Sequence, residues 1–334
     1  MRRRFEADQD SNAVAKSLAA PSSSKQSRLR LRRQAVPDDA DDSEIPRRYF
    51  SGTPLGHLNN FIRFSAVDGP GNRFVLFLQG CNFDCIGCHN PYTISTCNDC
   101  GVCVGPCPEA ALHLEGGRVR ANRHLCTDCD VCIEVCPENS TPLAAYVSVE
   151  EIVAEIRQVA PFISGVTVSG GEATMQPEFV AALFTEIKTD PELRRLTTFV
   201  DSNGSAPRRV WDLLLPVMDA AMIDLKAFDP STHFALTGVD NEAVLESIVY
   251  LAERRRLYEV RLLVMPGHND ETATIDMTVD WLRSVDPAMR VKIIGFRHHG
   301  VRPAGLSVRE PDSTETIAIG DRFRAAGFAD VVVV

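Results

Sequence analysis

Eleven cysteines packed into 56 positions constrain this chain more than any other feature. All lie between Cys81 and Cys136 of a 334-residue chain, and none follows. An odd number cannot close entirely into disulfides, and crowding of this kind reads as metal ligation. Three groups account for all of them. The first is Cys81-x3-Cys85-x2-Cys88. The second is Cys97-x2-Cys100-x2-Cys103-x3-Cys107-Pro108. The third repeats that run as Cys126-x2-Cys129-x2-Cys132-x3-Cys136-Pro137.

The two four-cysteine runs match the bacterial ferredoxin pattern, in which the fourth cysteine of each run ligates the other cluster. Two [4Fe–4S] clusters are therefore expected. One falls on Cys97, Cys100, Cys103 and Cys136, the other on Cys126, Cys129, Cys132 and Cys107. A pair of zinc sites is the competing reading, but a tight run closed by proline, present twice, favours iron–sulfur. The first group has three thiolates and no cysteine left to complete it. A four-iron cluster held by three thiolates leaves one iron without a protein ligand. Such an open position separates a reactive metal centre from a closed structural one. A small molecule offering nitrogen and oxygen donors would chelate that iron; a zinc site completed by His89 is the competing reading.

Composition narrows the setting. Apolar residues make up 44% and charged residues 24%, which suits a packed core. The net charge of −10 argues against a nucleic-acid partner, which requires a basic face. No run of about 18 apolar residues is present, so no membrane span is expected. The N-terminus is basic but lacks a signal-peptide core, and a cytoplasmic location is expected.

Residues 1–48 combine arginines, serines and an acidic block with few large apolar groups, which predicts a disordered N-terminal tail. A core domain is expected over 49–91 and 141–334, interrupted by a cysteine-rich insert over 92–140. Within the core, RFVLFLQ (73–79) reads as a buried strand. From Ser148, which forms a capping box with Glu151, strands and helices alternate to the C-terminus. Strands are predicted at 165–169, 197–200, 221–224, 259–264, 291–296 and 331–334. Helices fall between them, the first two after Ser148 and from Pro177. Repeated strand–helix units imply parallel strands with right-handed crossovers. The fold class is α/β, a partial (β/α)6 TIM-like barrel with a ferredoxin-like insert carrying two [4Fe–4S] clusters. A doubly wound open sheet is the alternative.

Cys-x3-Cys-x2-Cys on the loop after a first barrel strand resembles the radical S-adenosylmethionine (SAM) signature. The surrounding phrases VDGPG (67–71), LQGCNFDCIGCHNP (78–91), VTVSGGEA (166–173), VDSNG (200–204), IDLK (223–226) and RLLVMPGHND (261–270) extend the likeness. Over about 57 to 334 the chain resembles the glycyl-radical-enzyme activating enzymes, the family of pyruvate formate-lyase activase. The double ferredoxin insert resembles the subgroup that activates decarboxylases and dehydratases, and CHNPYTI (88–94) and SGGEAT (169–174) are most similar to the YjjW-type activases.

The resemblance implies that Cys81, Cys85 and Cys88 are catalytic and hold the cluster that binds SAM. It implies that Gly170, Gly171 and Glu172 receive the methionine amino group. Asp201 and Ser202 then lie near the carboxylate and a monovalent cation, with Met222, Asp224, Leu225 and Lys226 in the next cofactor segment. Gly87, Cys88 and His89 complete the cofactor contacts. Two positions depart from the family pattern. Gly87 stands where an aromatic residue is common, and Arg297 where a histidine is, so His299 or Arg297 itself is expected at the SAM carboxylate.

The expected activity is reductive cleavage of SAM to a 5′-deoxyadenosyl radical, which takes hydrogen from a glycine of a partner glycyl-radical enzyme. An anaerobic setting and an electron donor such as flavodoxin or ferredoxin are implied. The alternatives are a radical SAM enzyme acting on a small molecule, and an electron-carrier subunit with three clusters.

Overall fold

A computed structural model describes residues 49–50 and 52–334. The tail expected over 1–48 lies outside the described residues. Tyr49–Phe50 (β1) pairs with Thr53–Pro54 (β2). Strand β3 (Gly56–Ser65) runs antiparallel to β4 (Arg73–Leu78). The insert follows, with a hairpin of β5 (Leu112–Glu115) and β6 (Arg118–Ala121) and a single turn α1 (Val131–Glu134). Strand β7 (Ala145–Val147) then returns to the free side of β3.

Strand–helix alternation starts at Ser148. Helix α2 (Val149–Val159) precedes β8 (Gly165–Gly170), α3 (Pro177–Thr189) precedes β9 (Thr197–Ser202), and α4 (Arg208–Leu214) precedes β10 (Ala220–Asp224). Helices α5 (Pro230–Thr237) and α6 (Glu242–Glu253) lead to β11 (Leu257–Val264). Helix α7 (Thr272–Val285), β12 (Val291–Gly295), α8 (Ser313–Ala325) and β13 (Val331–Val333) finish the chain. The expected capping box holds α2: Ser148 Oγ accepts from the Glu151 N–H at 3.2 Å, and Glu151 Oε2 accepts from the Ser148 N–H at 2.7 Å.

From β4 through β8, β9, β10, β11 and β12 to β13, all pairing is parallel and spatial order follows chain order. A doubly wound sheet would reverse order at a switch point. This one does not, so its crossover helices share one face. The sheet keeps two edges, β13 and β7, and curls until Lys292 Nζ of β12 donates to the Val67 carbonyl at 3.3 Å.

Period-two alternation divides the strands. Val166, Val168, Val200, Ile223, Val260 and Ile293 belong to the main apolar core with the helices. Thr167, Ser169, Asp201, Asp224 and Arg261 alternate with them, and the last four meet one another on the concave side. At the N-terminal end of that side lies Arg73, fully buried. Its Nε donates to Thr167 Oγ1 at 2.6 Å, its Nη2 to the Val166 and Thr197 carbonyls at 2.8 and 3.1 Å, and it sits 4.3 Å over the Phe199 ring. Burial lowers its pKa to about 10. Read from sequence, Arg73 opens an apolar strand; in the fold it plugs the bottom of the curled sheet.

Strands β3 and β7 and helix α5 are among the elements with no counterpart in the sequence reading. Strand β3 is partly polar on both faces, and β7 is only three residues long. Helix α5 is short and rests on its ends: Asp229 Oδ1 accepts from the Thr232 N–H at 2.8 Å, and Gly238 closes it at φ 77°. The insert has a small core of its own, Cys103, Leu112, Val119, Cys132 and Leu143, so its packing runs past residue 140. It joins the sheet at Ser95, whose carbonyl accepts from Gln79 Nε2 at 2.6 Å and Ser140 Oγ at 2.8 Å. Among the described residues no helix is long and apolar enough to cross a membrane.

Candidate active site

The loop after β4 carries Cys81, Cys85 and Cys88 to the C-terminal end of the parallel strands, where singly wound α/β sheets place their sites. All three line one cavity of about 270 Å³. Burial pushes the Cys81 thiol up to about 12 and Cys85 up to about 11, and raises Cys88 as well. Left alone, these thiols stay protonated at neutral pH. A bound cation reverses this, because a coordinating thiol is deprotonated outright. Three half-buried thiols opening on one cavity fit a cluster with an open iron. Asn203, which the sequence reading did not assign, reaches Cys81 Sγ with Nδ2 at 4.0 Å and Asn82 Oδ1 at 2.9 Å.

Polar groups from successive strand ends face those thiols. Ser169 Oγ donates to Asp201 Oδ2 at 2.9 Å. Arg261 pairs with Asp201 and, through Nε, with Asp224 Oδ1 at 2.8 Å. Lys226 Nζ lies 2.8 Å from Asp224 Oδ2. Burial pulls Arg261 down to about 10. Burial would lower Lys226 too, but Asp224 and Cys85 outweigh it and raise its pKa above the usual lysine range. Both cations therefore stay charged near neutral pH. Asn269 ties two strand ends together, donating to the Lys226 and Leu263 carbonyls at 2.8 and 2.7 Å.

Eleven of the sixteen residues expected at the site line this cavity: Cys81, Cys85, Gly87, Cys88, His89, Gly170, Gly171, Asp201, Ser202, Asp224 and Lys226. Burial, then Lys226, lowers the His89 pKa. Glu172 lies beneath it, 1% exposed. Its carboxylate accepts from the Thr174 N–H and Oγ1 at 2.9 and 2.5 Å, Ser202 Oγ at 2.8 Å and the Asn203 N–H at 2.7 Å. It braces the loops that surround the cavity. Burial raises its pKa against those bonds. Met222 and Leu225 are fully buried and do not line the cavity; Leu225 belongs to the main core. Arg297 and His299 also fall outside the lining. Arg297 is exposed, 3.8 Å from Glu310, because the loop after β12 packs against the cysteine loop from outside.

Arg261 and Met265 line the cavity without having been assigned from sequence. A charged residue set between Val260 and Leu262 in the apolar run 260–264 was the available signal for Arg261.

The insert repeats itself at a spacing of 29 residues. Asp99 and Asp128 share positive φ (60° and 54°), as do Gly101 and Asp130 (79° and 61°) and Ala110 and Asn139 (46° and 48°). The Ala111 N–H donates to Cys107 Sγ at 3.3 Å, and the Ser140 N–H to Cys136 Sγ at 3.4 Å. Cys107, Cys126, Cys129 and Cys132 line one small cavity. Burial pushes Cys97 up to about 11, with Cys103 and Cys136 among the nearby groups; Cys103 in turn is raised by burial beside Cys100 and Cys136. Among the described residues no three His, Cys, Asp or Glu side chains converge at single-ion distance.

The family model of the Radical SAM superfamily matches residues 75–278, more than half of the chain. The chain is 33% identical over 250 residues to the (2S)-3-sulfopropanediol dehydratase activating enzyme of Klebsiella oxytoca, covering 69% of this chain and 78% of that one. It is 29% identical over 252 residues to the pyruvate formate-lyase 1-activating enzyme of Escherichia coli (strain K12), covering 74% and 82%. Among solved structures, Streptococcus suis SuiB bound to precursor peptide SuiA has a TM-score of 0.50 at 12% identity, over 78% of this chain and 48% of that one. That likeness concerns the fold alone.

Proposed function

The chain belongs to the Radical SAM superfamily, and on that premise we propose that it is an activating enzyme for a glycyl-radical enzyme. A [4Fe–4S] cluster with SAM supplies one chemistry when bound and reduced: cleavage to a 5′-deoxyadenosyl radical, which takes hydrogen from a glycine of the partner enzyme. The observation that carries the reading is that all three thiols of the Cys81 group open into the cavity that collects the strand-end motifs.

This chain's residues bind, orient and exclude water. Cys81, Cys85 and Cys88 hold the cluster through three thiolates. Lys226 and Arg261 offer positive charge and Asp201 and Asp224 negative charge, so a zwitterionic amino-acid group finds both signs. A β-carbon on Gly170 would collide with the Leu78 backbone, so only glycine lets the loop pack this closely on the cysteine strand. Leu263, Met265 and Ile294 supply the apolar wall. Asp201 and Asp224, which the resemblance links to a monovalent cation, already share the Arg261 guanidinium, and no step is assigned to a cation.

In the insert, Cys97, Cys100, Cys103 and Cys136 hold one [4Fe–4S] cluster, and Cys107, Cys126, Cys129 and Cys132 the other. The cavity shared by the second set and the paired N–H···S contacts support this division. Such clusters supply one-electron storage, from a donor such as flavodoxin or ferredoxin. Eleven free cysteines fit a reducing, cytoplasmic location. A pure electron carrier leaves the three-thiol cavity and its charged rim without a purpose.

The test is 5′-deoxyadenosine release from SAM by anaerobically reconstituted, reduced protein, followed by glycyl-radical EPR with candidate partners. Release, and a radical on the partner, are expected. Full iron loading with no release in the presence of any partner would overturn the reading.

A further inference from the structure

The segment carrying Cys85 is gripped from two sides. On one side, the Asp84 and Ile86 N–H groups donate to the Thr237 and Leu236 carbonyls at 2.9 and 3.0 Å, at the C-terminus of α5. On the other, Arg302 reaches in from the loop after β12. Its Nη2 donates to the carbonyls of Asp84 at 3.2 Å and Cys85 at 3.0 Å. Its Nη1 pairs with the Asp84 carboxylate at 2.6 Å. Three contacts from one planar group suit a guanidinium fork and not an ammonium point charge. The two loops lie close because glycines flank the arginine. A β-carbon on Gly305 would stand 2.8 Å from the Ile86 carbonyl oxygen, and one on Gly300 would collide with that of His89.

We propose that Arg302 is a positioning residue for the three-cysteine loop: it clamps the Cys85 segment against α5 and fixes a positive charge beside the cluster those thiols hold. The inference rests on the reading of Cys81, Cys85 and Cys88 as cluster ligands. The charge acts at the site itself. Its guanidinium donates directly to the carbonyl of Cys85, one of the three residues read as cluster ligands. A fixed cation beside a cluster favours its more negative, reduced form, so it raises the reduction potential.

The test compares reconstituted wild type with Arg302→Lys and Arg302→Gln. One readout is the midpoint potential of the cluster whose EPR spectrum changes when SAM is added. The other is amide hydrogen exchange over residues 84–88. Arg302→Gln is expected to lower the potential and speed exchange. Arg302→Lys is expected to keep most of the potential but lose protection. A wild-type potential in Arg302→Gln overturns the charge role, and wild-type exchange in both variants overturns the clamp. Should Arg302→Gln fail to load iron, exchange in Arg302→Lys decides. Wild-type protein that loads no SAM-responsive cluster would overturn the ligand reading instead.

Discussion

A β-carbon on Gly87 would stand 2.9 Å from the sulfur of Met265. The Phe296 ring lies 3.3 Å from the same point. The space that an aromatic side chain at position 87 would enter is therefore filled from the ends of β11 and β12. Met265, only 3% exposed, forms part of the cavity wall directly above the cysteine loop.

Gly87→Tyr should consequently weaken SAM binding. Overpacking costs about 1–3 kcal/mol, or roughly tenfold to a hundredfold in affinity. Met265→Ala in the same chain should recover most of that loss, because it vacates the space the ring needs. Calorimetric titration of SAM into the reconstituted proteins checks both. Wild-type affinity in the single variant would show that Met265 does not fill the space at position 87.

Glu172 gives a second prediction, because four donors converge on its buried carboxylate. Glu172→Gln looks isosteric but turns an amide N–H₂ toward groups that are themselves donors. A stranded buried donor costs about 1–3 kcal/mol. The variant should unfold at lower urea than wild type by that amount. Equal midpoints would mean that the loops at 172–174 and 202–203 do not depend on this carboxylate.

Much of this architecture was legible in the sequence, for identifiable reasons. Strong periodicity and capping signals gave the helices from Ser148 onward except α5, and the strand predictions fell within two residues of their observed ends. The cysteine spacings and strand-end motifs gave most of the cavity lining. What escaped depends on tertiary contact. Arg73 in an apolar run reads as a strand residue until curling buries it. Arg261 lies 37 positions from Asp224, and only adjacency of β10 and β11 joins them. Arg297 stands where the resemblance places a histidine, yet its loop turns it toward Glu310.

Asp219 supplies a pH-dependent prediction away from the cavity. Its carboxylate accepts from Lys188 Nζ at 2.5 Å and from the Thr198 N–H at 2.7 Å. Burial acts to raise its pKa, but these partners outweigh it and hold it below the usual carboxylate value. A depressed folded pKa stabilises the protein above the unfolded value of about 3.9, and that contribution is lost as pH falls through the folded pKa. Asp219→Asn should lower the melting temperature at pH 7. The gap from wild type should narrow once pH drops below about 4. A gap that is constant from pH 7 to 3 would show that the charge contributes nothing.

The cysteine groups should separate when one ligand from each is removed. Wild type is expected to hold about 12 iron atoms per chain, three clusters of four. Cys85→Ala leaves two thiolates for the cluster at the cavity, while the eight insert cysteines are untouched. Iron should fall to about 8, and SAM cleavage should vanish with any reductant. Cys129→Ala removes a ligand at the insert's small cavity instead. Iron should again fall to about 8. Cleavage should then slow with a protein electron donor but recover in part with a strong chemical reductant, because the open-iron site remains intact. Iron analysis with 5′-deoxyadenosine release under both reductants distinguishes the two. Cleavage undiminished in Cys85→Ala would remove the three-cysteine group from the chemistry.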